Sequence, residues 1–529
     1  MTLAEALVEV LAARGARRLF GIPGGGSSLD LMEAARRQGL DVVLARGETS
    51  AAIMAAVTGE LTGTPGIAFT GIGPGAASAV NGVAYAALER APMVLFTDGR
   101  ASGPGISTHQ VFDQGALFAP VTKDHARLRP EDGAARLASL LDTALAWPRG
   151  PVQVDLTSAD SAAPAGNSAN GLRPPLAKAL AGNLDAARAL LATARRPVIL
   201  AGLEARDGEA PAALGRLADA LACPVLCTYK AKGVFAETDP RAVGLFTGAE
   251  AERETLAQAD LILFYGFDQI EMIPGRWDYA APVLSLRRHA GRDGPIEPAV
   301  TLTGELPALV ESITDAVKHG SWSTDEITAL RDGMRRRLVL SGSGATSAAV
   351  TAAAQATAPA GCRLTVDAGA HMFSVLADWT AEAPHGVLKS NGLSTMGYAL
   401  PAAIASALAE PDRPVLAVTG DGGQMMCLGE LSTAARLGCR IVIAVINDAA
   451  LSLIDIKQQR PQLPQLAVRT PAVDFAAIAE AQGVPGWRVE NEGDLEAAFA
   501  KAWAADGPVL LDISCDASGY GAQLEPLRG

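Results

Sequence analysis

The run Pro414-Val415-Leu416-Ala417-Val418-Thr419 leads directly into Gly420-Asp421-Gly422-Gly423, and a segment of helical character, 424–438, follows. A short apolar run, a glycine turn and a helix start are the parts of an α/β unit with a crossover helix. Free backbone N–H groups and the dipole at such a helix start can hold a phosphate, and the Asp421 carboxylate stands at the same edge. A second apolar run, 441–446, ends at Asn447-Asp448, and Asp448 lies 27 residues after Asp421. That interval is room for one helix crossover between parallel neighbours, so two oxygen ligands converge at adjacent strand ends. A carboxylate pair with a backbone carbonyl from the following turn suits Mg²⁺ carrying a diphosphate. A glycine turn before a helix is common by itself, and the Asn-Asp at the next strand end is what makes the pair informative.

Working outward, short apolar runs alternate with longer helical patterns almost throughout, which predicts parallel sheets covered by helices. Strands are expected at 41–45, 67–70, 93–97 and 152–156, then at 195–200, 224–228, 260–265, 282–286 and 299–303, and finally at 364–367, 415–419, 441–446 and 509–513. Residues 158–175, rich in Ser, Ala, Asn, Gly and Pro, read as a linker. A charged helical connector over 323–337 and Ser341-Gly342-Ser343-Gly344 set the second boundary. The fold class is therefore α/β with three doubly wound parallel-sheet domains, at 1–165, 180–335 and 345–529. The first and third parts have similar size and element order.

Composition limits the partners. With 529 residues, 49% hydrophobic and 19% charged, the chain has enough apolar material for several cores and too little charge for disorder. Its net charge of −13 argues against nucleic acid and anionic membranes, which call for a basic face. The longest apolar stretch, 398–409, is broken by Pro401 and falls short of the ~20 residues that span a bilayer. The first residues read as an amphipathic helix without the basic-then-apolar order of a secretion signal, so a cytoplasmic location is expected. Six cysteines without a CxxC pair exclude a thiolate zinc site, and Cys223 and Cys227 read as small buried hydrophobes.

On these motifs the sequence resembles the thiamine diphosphate enzymes of the acetolactate synthase, pyruvate decarboxylase and benzoylformate decarboxylase superfamily, whose signature is GDG followed, roughly two dozen residues on, by Asn-Asn. Other segments agree in order: Asp367-Ala368-Gly369-Ala370-His371 is similar to the diphosphate turn, and Gly392-Leu393-Ser394-Thr395-Met396-Gly397 to the segment that keeps the cofactor bent. The first domain contributes Leu19-Phe20-Gly21-Ile22-Pro23-Gly24-Gly25, Arg46-Gly47-Glu48, Thr70-Gly71-Ile72-Gly73-Pro74-Gly75 and His109-Gln110-Val111-Phe112-Asp113.

The resemblance implies that Gly369, His371, Ser394, Met396, Gly420, Asp421, Gly422, Gly423 and Asp448 bind thiamine diphosphate, with Met396 as the apolar wedge between its two rings. It implies that Asp421, Asp448 and the Ala450 carbonyl hold Mg²⁺. Glu48 is then the acid that bonds the pyrimidine N1′ and promotes loss of the thiazolium C2 proton, and Gln110 a polar group near the reacting carbon. Gly25, Gly26, His109, Leu453 and Lys457 line the substrate pocket. Taken singly, Met396 also reads as a core methionine, Glu48 as a surface acid at a helix end and His109 as a loop histidine bonding its own backbone.

Departures from the family pattern sharpen the reading. The second member of the Asn pair is Asp448, which adds a negative charge at the metal. Lys457 falls where biosynthetic acetolactate synthases carry a tryptophan, so the acceptor pocket differs. Gly25 stands where the decarboxylase branches place Asp or Ser, and histidines are scarce, with 6 in the chain. A site short of proton donors favours passing the enamine to an acceptor carbonyl over releasing an aldehyde. The middle domain has no GxGxxG after a strand, so FAD is not expected. The activity implied is decarboxylation of a 2-oxo acid with carboligation, in a homodimer or homotetramer whose active site lies between subunits. A non-ligating decarboxylase or C–C lyase or hydrolase, and a catalytically silent relative, are the competing readings.

Overall fold

The computed structural model describes residues 1–100, 108–166, 179–273, 275–291, 294–459 and 462–528. Three sheets organise them. The first contains β1 (Arg18–Ile22), β2 (Asp41–Leu44), β3 (Gly66–Thr70), β4 (Met93–Gly99), β5 (Asp124–Arg127) and β6 (Pro151–Thr157) in the order β2-β1-β3-β4-β6-β5, all parallel. The second contains β7 (Ala181–Gly182), β8 (Pro197–Ala201), β9 (Val225–Cys227), β10 (Ala242–Leu245), β11 (Leu261–Tyr265), β12 (Val283–Arg287) and β13 (Val300–Thr303), ordered β10-β9-β8-β11-β12-β13-β7, with β7 alone antiparallel. The third contains β14 (Arg363–Val366), β15 (Val387–Lys389), β16 (Val415–Gly420), β17 (Ile441–Asn447), β18 (Gly486–Val489) and β19 (Val509–Ser514), ordered β15-β14-β16-β17-β19-β18, again all parallel.

The first and third sheets share one topology strand for strand, each doubling back after its first strand. A doubly wound sheet leaves a crevice where the winding reverses, beyond the carboxyl ends of the strands. Those crevices fall between β1 and β3, β8 and β11, and β14 and β16. Asp421 follows β16 at such a point and Asp448 follows the neighbouring β17, which is paired with β16 residue for residue from Val415–Ile441 to Gly420–Ile446.

The sheets are not independent bodies. Helix Glu48–Thr62, almost wholly of small residues, packs on helix Ala399–Ala409 of the third unit, and their buried side chains belong to one core. A second core runs from the middle sheet into β14, β16 and β17. The smallness of Glu48–Thr62 has a steric reason: a Cβ on Gly59 would stand 2.0 Å from the Pro92 carbonyl oxygen, and one on Gly82 would stand 2.5 Å from Ala52 Cβ.

Two expectations need correction. The single helix expected over 424–438 is two short ones, Asp421–Met426 and Glu430–Arg436. The chain between them approaches the first unit so closely that a Cβ on Gly429 would lie 2.9 Å from Arg46 Cβ. The linker at 158–175 opens with a helix, Ser158–Ala162, whose start is capped by Thr157 accepting from Asp160 N at 3.1 Å, and its remainder from 167 lies outside the described residues. Cys223 and Cys227 are buried free thiols, pushed up to about 12 by burial. No described helix is long and apolar enough to cross a membrane.

Burial also decides the state of Glu271 in the middle unit, whose carboxyl is pushed up to about 8. Its oxygens accept from Thr228 Oγ1 at 2.5 Å and Leu203 N at 2.8 Å. The folded protein therefore holds a proton on this group that the unfolded chain releases above its ordinary 4.5. Its contribution to stability is full below that value and is lost as pH rises toward about 8. Glu271→Gln, which is isosteric and neutral, removes this titration. The wild-type stability relative to the variant should fall by about 1.4 kcal/mol per pH unit between about pH 5 and 8, as read by urea unfolding.

Candidate functional site

At the β14/β16 crevice the backbone is drawn together by one carboxylate. Asp367, fully buried after β14, accepts from Gly397 N at 3.0 Å, Tyr398 N at 3.4 Å and Thr419 Oγ1 at 3.0 Å. Burial pushes its carboxyl up to about 6. The glycines beside it are sterically required. A Cβ on Gly423 would lie 2.5 Å from Asp367 Oδ2, one on Gly369 would lie 2.6 Å from His371 Cε1, and one on Gly422 would lie 2.9 Å from Leu451 Cδ2 and 3.3 Å from Met396 Cε.

These segments enclose a cavity of about 180 Å³. Gly369, His371, Ser394, Met396, Gly420, Asp421, Gly422, Gly423, Asp448, Ala450 and Leu453 all line it. Every residue expected to bind the diphosphate half or the metal is thus in one place. His371 is buried, with Nε2 lacking a hydrogen-bond partner, and burial lowers its pKa to about 4, so the imidazole is neutral near pH 7. Asp421 is pushed up to about 6, first by burial and then by the Asp448 charge, and Asp448 is raised by burial. Asp448 accepts from Ser452 Oγ at 2.5 Å and Ala450 N at 3.2 Å.

A diphosphate and a divalent cation fit this chemistry. Asp421, buried, and Asp448, half-buried, face the same cavity with raised proton affinity, a glycine-walled turn admits a ligand to the backbone, and a buried ring nitrogen lacks a partner. Of the expected pocket residues only Leu453 lines this cavity; Lys457, one helical turn beyond it, is exposed and does not.

The remaining expected residues gather at the β1/β3 crevice. Gly24 and Gly71 approach so closely that a Cβ on Gly24 would lie 2.8 Å from Gly71 Cα, and one on Gly26 would meet Asp98 Oδ2 at the same distance. Gly25 has open space around it. Buried Asp98 fixes this turn by accepting from Ser28 N at 2.6 Å, Ser27 Oγ at 2.8 Å and Ser28 Oγ at 3.0 Å. Glu48 begins helix Glu48–Thr62, with Oε1 3.2 Å from where a Gly75 Cβ would sit. The Gln110 carbonyl closes on Gly73, whose Cβ would lie 2.2 Å away, while the side chains of Gln110 and His109 are exposed. None of Gly25, Gly26, Glu48, His109 and Gln110 lines the cavity at Asp421. One chain thus presents two half-sites.

Sequence reasoning missed the residues that hold these half-sites. Glu430 Oε1 accepts from Arg46 N at 2.9 Å and Gly47 N at 3.1 Å, so the third unit fixes the turn that carries Glu48. Asp98 and Asp367 act in the same way, while Ser452 holds Asp448 by donating its hydroxyl to Oδ2. The available signal was position: Asp98 and Asp367 sit at or just past the ends of apolar strands, where a carboxylate can reach the N–H groups of the next turn.

The middle crevice is built otherwise. A Cβ on Gly202 would lie 2.5 Å from Phe267 Cα and 2.6 Å from Glu271 Oε2, so the chain fills this gap itself. Ligand atoms of Glu204, Asp268 and His289 lie within 4.8 Å of one another. Asp268 and Glu204 already have partners in the chain: Arg90 Nε donates to Asp268 Oδ2 at 2.7 Å, the Arg288 backbone N–H donates to Glu204 Oε2 at 2.6 Å, and His289 Nε2 is 3.1 Å from Glu204 Oε1.

Family comparison agrees with this geometry. The thiamine pyrophosphate enzyme models match in all three parts: the N-terminal TPP binding domain at 1–116, the central domain at 184–286 and the C-terminal TPP binding domain at 367–513. The chain belongs to the thiamine pyrophosphate enzymes and makes or breaks C–C bonds with that cofactor. Within them it is acetolactate synthase-like. It is 30% identical to the catabolic acetolactate synthase of Raoultella terrigena over 535 residues, covering 97% of this chain and 95% of that one. It is 29% identical to the acetolactate synthase of Bacillus subtilis (strain 168), covering 97% and 93%, and 28% identical to the isozyme 2 large subunit of Escherichia coli (strain K12), covering 98% and 96%.

The glycine walls give a direct check. Gly423→Ala should force Asp367 off Thr419 and the Gly397 amide and cost about 1–3 kcal/mol of stability in urea unfolding. Gly493→Ala, where nothing lies within 4 Å of the added carbon, should stay within about 0.5 kcal/mol.

Proposed function

We propose that this enzyme decarboxylates a 2-oxo acid with thiamine diphosphate and Mg²⁺ and ligates the remaining acyl unit to an acceptor carbonyl. The observation that carries the reading is the single cavity formed by His371, Met396, Gly420–Asp421–Gly422–Gly423, Asp448 and Ala450. When bound, thiamine diphosphate supplies a thiazolium whose C2 adds to the substrate carbonyl and takes up the electrons released with CO₂. Asp421, Asp448 and the Ala450 carbonyl would hold Mg²⁺, the turns at Gly369 and Gly420–Gly423 would receive the diphosphate, and Met396 would support the bent cofactor. Glu48 would hold the proton at the pyrimidine nitrogen.

Ligation is favoured by the scarcity of proton donors. His371 is neutral near pH 7 because burial lowers it to about 4, and the Gly25 turn offers no side chain. Incubation with a 2-oxo acid, with and without an aldehyde, separates ligation from simple decarboxylation by product. For the middle unit, the self-filled β8/β11 crevice supports a flavin-free domain, and a stoichiometric yellow cofactor in purified protein would overturn that inference. The domain limits 1–165, 180–335 and 345–529 are supported by the family matches falling inside them.

The two half-sites in one chain favour a homodimer in which Glu48 of one subunit serves the Asp421 cavity of its partner. Exposed apolar side chains flank both: Leu44 and Phe112 near the first, Met425, Met426 and Ile454 near the second. Such patches mark surfaces covered in an assembly. Glu48→Gln should abolish turnover while leaving cofactor affinity within about tenfold. Asp421→Asn should lose turnover with cofactor binding. Mixing the two inactive variants under subunit exchange should restore about a quarter of wild-type activity, because half of the dimers are hybrids with one intact site. Mixtures that stay inactive while subunits exchange would refute the shared site.

A further inference from the structure

Residues 390–398, which include Met396, contain no helix or strand, and Ser394 and Gly397 adopt left-handed φ of 54° and 75°. Tertiary bonds alone therefore set where Met396 stands. From its own unit the segment is held by Asp367, through Gly397 N. Lys389 adds a hold from the same unit, its ammonium donating to the Ser390 carbonyl at 3.2 Å and to Asn391 Oδ1 at 3.1 Å, and further anchors come from the other two units. Thr395 Oγ1 donates to Asn81 Oδ1 at 2.9 Å, Asn391 Nδ2 donates to the Glu271 carbonyl at 3.1 Å, and Gly392 N donates to Glu89 Oε1 at 2.8 Å.

Glu89 is buried, and its other oxygen lies 3.2 Å from Lys230 Nζ. Lys230 comes from the turn after β9 and is fully buried. An ammonium has three N–H donors. Those of Lys230 meet acceptors from both flanking units: Glu60 Oε1 at 2.8 Å, Glu89 Oε2 at 3.2 Å and the Lys389 carbonyl at 3.3 Å. Glu60 has a second cation, Arg206, and burial between the two still leaves its carboxyl lowered to about 2. Removing the Lys230 charge therefore falls mainly on Glu89, and through it on Gly392.

We propose that Lys230 of the middle unit is a positioning residue for the cofactor site, holding residue 389 directly and residue 392 through Glu89, so that Met396 is presented in one place. This rests on the reading of Met396 as a cofactor support and assigns the flavin-free middle domain a part in that site. A buried carboxylate deprived of its cation is displaced or takes up a proton, and either change weakens its grip on the Gly392 amide.

The test uses the full chain. In Lys230→Met, hydrogen exchange of peptides covering 389–398 should accelerate about tenfold and thiamine diphosphate affinity should weaken by about tenfold, as when a supporting partner of a ligand-binding group is lost. Exchange in the β1–β4 and β8–β12 strands should stay at the wild-type rate, and Lys230→Arg should restore both readouts. Unchanged exchange at 389–398, or a uniform rise across all three sheets, overturns the proposal. Should Lys230→Met fail to fold, Glu89→Gln, which keeps an acceptor for Gly392 but drops the charge, is measured in the same way. The same local rise supports the proposal and wild-type protection overturns it. Wild-type protein that binds no thiamine diphosphate would instead refute the functional reading, while leaving the exchange result interpretable.

Discussion

The Asp367 carboxylate is the constraint on which the cofactor end of the third sheet depends. It is fully buried after β14, yet it accepts hydrogen bonds from the 397–398 turn and from Thr419 at the end of β16. The 397–398 turn and the end of β16 are thereby gathered at one pair of oxygens just past β14. Its raised proton affinity records the cost of this arrangement, since burial favours the neutral acid and the donated N–H and O–H groups offset that only in part. Gly423 must be glycine because a side chain there would strike the same oxygen. The cavity at Asp421, the place of Met396 and the separation of the carboxylate pair all follow from this gathering.

The three sheets treat the same topological opportunity differently. Each reverses its winding beside a glycine, where backbone in the first and middle units and side chains in the third approach closer than a Cβ allows. In the first, Asp98 draws the Gly24–Ser28 turn inward and leaves Gly25 open. In the third, Asp367 does the equivalent work and leaves the Gly369 and Gly420 turns facing a cavity. In the middle, Phe267 and Glu271 enter the gap, Glu271 as the protonated acid that burial favours, and Asp268 is paired with Arg90. A carboxylate that bonds backbone from beneath keeps a crevice available, whereas one that enters the crevice closes it.

Much of this was legible in the sequence, and the illegible parts have a common cause. Apolar strands buried on both faces, such as β16 and β17, declare themselves by composition, and the glycine turns after them by position. Among the strands not anticipated, β5, β7, β10, β15 and β18 are all sheet edges, where one side faces solvent and the apolar signal fades. The exception, β1, is interrupted by Gly21, which must be glycine because a Cβ there would lie 2.2 Å from the Phe69 carbonyl oxygen. At the site, residues expected to touch ligand are recognisable because their chemistry is in the side chain and their spacing is local. Glu430, Glu89 and Lys230 act on backbone hundreds of residues away, and no local pattern marks them.

The acidic character of the chain and its anionic ligand are reconciled by the same local electrostatics. A net charge of −13 argues against a basic face that would attract a diphosphate, and among the described residues no lysine or arginine lines the cavity. What the cavity offers instead is neutral or negative: backbone N–H groups, an uncharged imidazole, and two carboxylates whose proton affinity burial raises, that of Asp421 also through the Asp448 charge. A diphosphate alone would be repelled by that pair, and on the proposed reading a divalent cation between them offsets the repulsion. Asp448, in place of a neutral amide, strengthens this coupling. On that reading it would increase the attraction for a cation and the repulsion of an unaccompanied phosphate at once, which favours the metal-bound form of the cofactor.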